Sequence, residues 1–171
     1  ASAIMSIIFS LVVISVYILI RFRKWNYALG ATIALLHDVL FVLGIFSLTW
    51  KFMPFSMEID QAFIAAILTI VGYSINDTVV IYDRIREFTR LHRSKDNETN
   101  INDALNSTLS RTFNTSISTF VVLLVIFLLG GSAIKGFVFA LMIGVVVGTY
   151  SSICIASPMI VDLSKESKEE K

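Results

Sequence analysis

Cysteine, histidine and charge are what this sequence has least of. The lone cysteine, Cys154, sits in an apolar stretch without a second thiol in the chain, so an internal disulfide is excluded. Only His37 and His92 offer an imidazole, and no HExxH, CxxC or glycine-rich phosphate loop accompanies them. The usual metal and nucleotide sites are excluded on that ground, so no metal, cofactor or catalytic residue is expected and the chain does not read as an enzyme. Charged residues make up 16% of the chain against 56% hydrophobic, with a net charge of +1. No basic-aromatic patch appears, which argues against nucleic acid as a partner. The charges cluster instead of covering solvated faces, and the mean hydropathy is +0.78. That combination places the chain in a lipid bilayer.

What is abundant is long apolar runs. A spanning helix needs about 20 mostly apolar residues. Five stretches qualify, roughly 2–20, 29–50, 61–81, 110–129 and 137–156, so the expected fold is an all-α polytopic bundle over 1–163 with a charged tail at 164–171. Basic residues alternate between the connections: Arg21, Arg23, Lys24, the segment from Arg84 to Lys95, Arg111 and the three tail lysines put twelve of fourteen on one side. The positive-inside rule then predicts the N-terminus outside, the 82–109 connection and the C-terminus in the cytoplasm. An odd number of spans beginning outside, with no initiator Met, predicts a piece that lacks an earlier, cytoplasm-anchored helix. The third helix is expected to continue through Arg93, followed by a polar turn over 94–100, with Thr99 or Asn100 capping the fourth helix and Asp103 in its first turn.

The ionisable residues inside these runs are the functional candidates. A carboxylate in hydrocarbon costs about 2.5–3.5 kcal/mol even on the lenient insertion scale, and Asp77 lies within the third run. At 1.5 Å per residue it is about 24 Å from the outer end of its helix, in the cytoplasmic third. Arg111, at the entry to the fourth run, matches that depth. Ser107, Arg111, Asn114, Thr115 and Ser118 recur at three- and four-residue spacing and form one polar stripe. Arg111 is read either as snorkelling to headgroups or as Asp77's partner, with Asn76 and Thr78 as polar support. Arg84, seven residues from Asp77, is a competitor for the acid. Asp38 falls near the midplane, about 14 Å from the cytoplasmic end of the second run, and suggests a ladder of ionisable groups. His37 adjoins it but points about 100° away around the helix, so a shared dyad or metal site is not expected. In DRIRE (83–87) the expected ion pairs are Asp83–Arg86 and Glu87–Arg90. The last run repeats a small residue at every fourth position, Ser132, Gly136, Ala140, Gly144, Gly148, Ser152 and Ala156, a strip that lets helix backbones approach closely within this chain or against a partner.

Three runs carry a family resemblance: ALGATIALLHDV at 28–39, GYSINDTVVIYDRIRE at 72–87 and LNSTLSRTFNTS at 105–116. In that order they resemble the SecF side of the SecD/SecF family of protein-export membrane proteins, across nearly the whole chain. The resemblance implies helices two to six of a six-helix unit of the RND-permease type, taken from a separate SecF or from a SecD-SecF fusion in the bacterial cytoplasmic membrane. It implies a role coupling proton flow (or Na⁺, which needs the same carboxylate) to late steps of polypeptide translocation, with SecD, the Sec translocon channel and the secreted polypeptide as partners. It places the family's key acid and arginine on Asp77 and Arg111, and its His-Asp pair on His37 and Asp38. An RND-like exporter of small molecules or lipids and a structural scaffold for SecD and the translocon are the competing readings.

Overall fold

Apolar runs of this length leave every backbone polar group to be satisfied within its own segment, and in lipid only a helix does so. The computed structural model describes residues 2–169, with side chains over 5–163; Ala1, 170–171 and the side chains of the expected tail lie outside the described residues. The helices are α1 (Ser2–Phe22), α2 (Trp25–Thr49), α3 (Gln61–Leu91), α4 (Asn97–Leu129) and α5 (Ser132–Ser151), then a π segment (Ser152–Ala156) and α6 (Ser157–Glu169). Five segments are long and apolar enough to cross a membrane, the last running Ser132–Leu163. The five-span expectation is met. The expected tail boundary is not seen in the backbone, because α6 continues to Glu169.

Local chemistry sets the breaks. Arg23 ends α1 in the left-handed region at φ 55°, a conformation that costs a non-glycine residue roughly 1–2 kcal/mol, and reverses the chain into α2 within two residues. Asp60 caps α3, its carboxylate accepting from the Phe63 amide at 2.8 Å. For α4 the cap is Asp96, accepting from the Thr99 amide at 3.0 Å, and not Thr99 or Asn100 as expected. Thr99 supplies the third amide of the helix, the donor a cap needs. Asn100 is instead buried and donates to the His92 and Lys95 carbonyls, closing the 92–96 turn. Asp103 is not in the first turn, which holds Glu98; it pairs with Lys95 at 2.8 Å.

The π segment has a sequence cause. Pro158 has no N–H to give the Cys154 carbonyl, and its ring would press on that carbonyl in a regular α-helix. Widening the turn over 152–156 relieves the clash. Ser157 Oγ then donates to the Ser152 carbonyl at 2.9 Å, and Tyr82 Oη to the Ala156 carbonyl at 3.2 Å.

α3 is the central helix, and α5 is the helix packed most extensively against it. Its buried side chains, among them Ile67, Ile70, Ser74, Asp77, Ile81 and Tyr82, recur at three- and four-residue intervals. One apolar core gathers Ile18, Phe22, Tyr27, Ala31, Tyr82, Ile85 and Ile160 at the end where α1 turns into α2. A second gathers Leu35, Val42, Phe46, Phe63, Ile67, Ile70 and Ala140 toward the opposite end. Between them lies a layer of buried polar side chains from α2, α3 and α5, joined by others from α4.

Candidate functional site

The small-residue strip of α5 makes this layer possible. A Cβ on Gly148 would stand 3.0 Å from that of Ser74, and one on Gly144 would collide with the Ile70 side chain. Gly136 lies against the Ser56 carbonyl, Ala140 and Ser152 are fully buried, and the strip thus faces this chain's own α3 and the loop before it. The close approach brings α3 hydroxyls within bonding reach of α5. Thr78 Oγ1 and Ser152 Oγ lie 2.9 Å apart, and Thr78 also donates to the Ser74 carbonyl at 3.1 Å.

Asp38 is the hub of this contact. Its carboxylate is fully buried, with Oδ2 accepting from Ser74 Oγ at 2.6 Å and from Ser151 Oγ at 2.8 Å, so one oxygen ties α2 to α3 and α5. Oδ1 meets His37 Nδ1 at 3.3 Å. The expectation that adjacent residues diverge too far to meet is therefore corrected. Their Cβ atoms do diverge, but the imidazole is long enough to fold back across the helix surface. His37 also contacts the Phe41 and Tyr150 rings. Among the described residues no group of three or more His, Cys, Asp or Glu converges to hold a metal.

Asp77 is treated differently. It is 5% exposed, and its Oδ2 is buried without a hydrogen-bond partner. The register of α3 against α4 is fixed by Tyr73 Oη donating to Ser116 Oγ at 3.4 Å and Arg84 Nε donating to Ser107 Oγ at 3.0 Å. Because the helices run antiparallel, four residues past Tyr73 on α3 fall opposite four residues before Ser116 on α4. Asp77 is thus level with Thr112 and beside Arg111. The guanidinium acts on the carboxylate electrostatically, but no ion pair joins them among the described residues. Arg111 instead lines an open cleft of about 390 Å³ with Val80, Asp83, Arg84, Glu87, Ser107 and Thr108.

Other expected contacts are redistributed. Arg84 does not compete for Asp77; it bonds Ser107 and pairs with Glu87 at 2.6 Å. Asp83 pairs with Arg21 of α1 at 2.9 Å, so neither expected DRIRE pair forms. Tertiary neighbours take precedence over i,i+3 spacing here. The stripe read on α4 is exposed at Ser107, Arg111, Asn114, Thr115 and Ser118, as is Asn76 on α3. The buried face of α4 is another one, Ala104, Thr108, Thr112 and Ser116, at strict four-residue spacing. There Ser116 Oγ and Thr149 Oγ1 lie 2.5 Å apart. Ser74, Ser151, Ser116 and Thr149 were not singled out by sequence reasoning. The available signal was their spacing: each sits one helical turn from another small or polar buried residue.

Comparisons with known proteins agree with this arrangement. Residues 1–166 match the family model described as protein export membrane protein SecD/SecF, C-terminal. The chain is 55% identical over 161 residues to the protein translocase subunit SecF of Rhodothermus marinus, covering 94% of the chain and 52% of that protein. It is 46% identical to the SecF of Petrotoga mobilis, covering 96% and 52% respectively. It is also 44% identical to the protein translocase subunit SecDF of Brucella abortus, covering 98% of the chain and 21% of that protein. A crystal structure of SecDF in a super-membrane-facing form superposes with a TM-score of 0.85 at 40% identity, covering 94% of the chain and 21% of that structure. The chain spans about half the length of the curated SecF relatives it matches.

Proposed function

The chain belongs to the SecD/SecF family of protein-export membrane proteins, and from that membership we propose that it is the membrane half of a SecF-type translocase subunit in which Asp77 carries the coupling proton. One observation carries this reading: a carboxylate in the membrane-spanning part of α3 is buried with an oxygen that no protein group satisfies, beside a cation that does not pair with it. A static buried acid is held by donors, as Asp38 is. An acid without them costs several kcal/mol when ionised, and a proton removes that cost. Approach of Arg111 favours the carboxylate and withdrawal favours the acid, so small movements of α4 against α3 set the occupancy. Na⁺ would use the same carboxylate and is separated from H⁺ by the choice of imposed gradient.

Partners follow from the exposed polar side chains. Asn76, Arg111, Asn114, Thr115 and Ser118 lie on exposed surfaces of helices that cross the membrane. Lipid is a poor neighbour for them. We take that surface to be covered by SecD, separate or fused as in the SecDF relatives, with the translocon channel and the emerging polypeptide engaged by the full-length complex. The 92–96 turn is placed in the cytoplasm by the basic asymmetry. Asn97→Cys in a Cys154→Ser background should then react with impermeant thiol reagents from the cytoplasmic side alone.

The decisive experiment is export by the full-length protein in membrane vesicles, with and without an imposed proton gradient. Asp77→Asn should abolish gradient-dependent export while membrane levels stay normal, and Arg111→Ala should fail as well because the acid then keeps its proton. Normal gradient-dependent export by Asp77→Asn would falsify the carrier role. A structural scaffold is the second reading, and the fully bonded Asp38 is the observation that favours it, since that carboxylate joins three helices and has no vacancy to cycle.

A further inference from the structure

The redistribution of ion pairs on α3 has a second effect. Asp83 is engaged by Arg21, and Glu87 by Arg84, so the two acids that spacing assigned to Arg86 and Arg90 are occupied elsewhere. Arg86, Arg90 and Arg93 then lie on one face of the last turns of α3 and line a cleft of about 310 Å³ together with Lys24. Its remaining walls are Phe22, Tyr27 and Thr89, and no acidic side chain contributes. None of the four cations is in an ion pair among the described residues. Four cations without an acid repel one another unless an anion joins them.

The position of the cleft selects the anion. The apolar span of α1 ends at Phe22 and that of α2 begins at Trp25, so Lys24 stands where hydrocarbon gives way to headgroups. The stacked Phe22 and Tyr27 rings, centroids 5.2 Å apart, form a rigid wall. The Lys24 ammonium lies 5.9 Å from the Tyr27 ring centre. Ile20 and Trp25, 71% and 52% exposed, offer an apolar surface next to the cleft, and an exposed tryptophan at this level is a usual interfacial anchor. A basic pocket between helices at the membrane boundary is suited to the phosphate of an anionic lipid. We propose that the cleft between the α1–α2 turn and the end of α3 binds the headgroup of an anionic phospholipid, with Arg86, Arg90, Arg93 and Lys24 around its phosphate and the acyl chains along Ile20 and Trp25.

The test is native mass spectrometry of the delipidated full-length protein, titrated with phosphatidylglycerol, with phosphatidylcholine, and with inorganic phosphate as competitor. The wild-type protein should retain phosphatidylglycerol in preference to phosphatidylcholine, and millimolar phosphate should not displace it. The triple variant Arg86→Gln, Arg90→Gln, Arg93→Gln should bind on the order of 10²-fold more weakly, at about a factor of five or more for each cation removed near a membrane surface. Lys replacements at the same three positions should keep most of the binding, and Lys135→Gln, distant from the cleft, should keep all of it. Equal phosphatidylglycerol retention by the triple glutamine variant, or no preference over phosphatidylcholine, overturns the proposal. Displacement by inorganic phosphate would assign the cleft to a free anion and overturn the lipid as its occupant.

Discussion

Asp38 and Asp77 are both buried acids in membrane-spanning helices, and they differ in every other respect. Asp38 has three neighbours on its two oxygens, drawn from two other helices and from its own. Asp77 has an oxygen with none and a cation that stands off. Burial alone therefore does not identify the working group in such a bundle. The satisfaction of each oxygen does, because hydrogen bonds to a charged group contribute about 1.5–3 kcal/mol each and fix the charge in place. The first acid is built into the structure and the second is free to change state.

The largest expected effect breaks the comparison in two directions at once. Asp77→Asn in the full-length protein should remove gradient-dependent export entirely yet leave thermal unfolding in detergent unchanged or shifted upward, since a charge has been taken out of hydrocarbon. Asp38→Leu should do the reverse to stability, lowering it by about 2–4 kcal/mol because Ser74 and Ser151 lose their acceptor. A lower unfolding midpoint for Asp77→Asn than for Asp38→Leu would invert the assignment of the two acids.

A smaller effect sharpens the comparison at the helix contact that supports Asp38. Gly144→Ala should cost about 1–3 kcal/mol through overpacking on Ile70, whereas Val146→Leu, on an exposed face of the same helix, should be near neutral by the same unfolding measurement. Equal losses would mean that the strip does not hold α5 against α3 in the membrane.

The smallest effect lies outside the bilayer. The Thr99 hydroxyl and amide hold the Asp96 carboxyl below the usual carboxylate range. A depressed acid contributes stability above its unfolded pKa of about 4 and loses it as pH falls through the lower folded value. Hydrogen exchange over the first turn of α4 should therefore accelerate below about pH 4, and Asp96→Ala should show the faster rate at neutral pH with the acid step abolished. An acid step that persists in Asp96→Ala would assign it to another group.

The spans were legible because 20 consecutive apolar residues admit few alternatives, and the level of Asp77 with Arg111 was legible from rise per residue alone. The hub was not. Serines are common in membrane helices as backbone-bonding residues, as Ser118 is here, so nothing in the composition separates Ser74 and Ser151 from the rest until the strip brings α5 onto α3. Which stripe of α4 is buried was equally hidden, since Ser107–Arg111–Asn114 and Thr108–Thr112–Ser116 have similar polarity and differ by one residue of phase. The ion pairs of α3 failed for a third reason: Arg21 lies 62 positions away in sequence, and local spacing carries no information about it.

The π segment at Ser152–Ala156 also records a history of insertion. A π turn holds one residue more than an α turn, and one residue is about 100° of rotation. Upstream of it the helix turns its small residues to α3; downstream, α6 lies against α2. Deleting Cys154 alone would restore the α phase and rotate everything from Ile155 onward by that angle, turning buried Ile160 away from its core. A length change of one residue at this point is therefore equivalent to exchanging a whole helix face, so the segment fixes the reading frame of the fold as firmly as any side chain does.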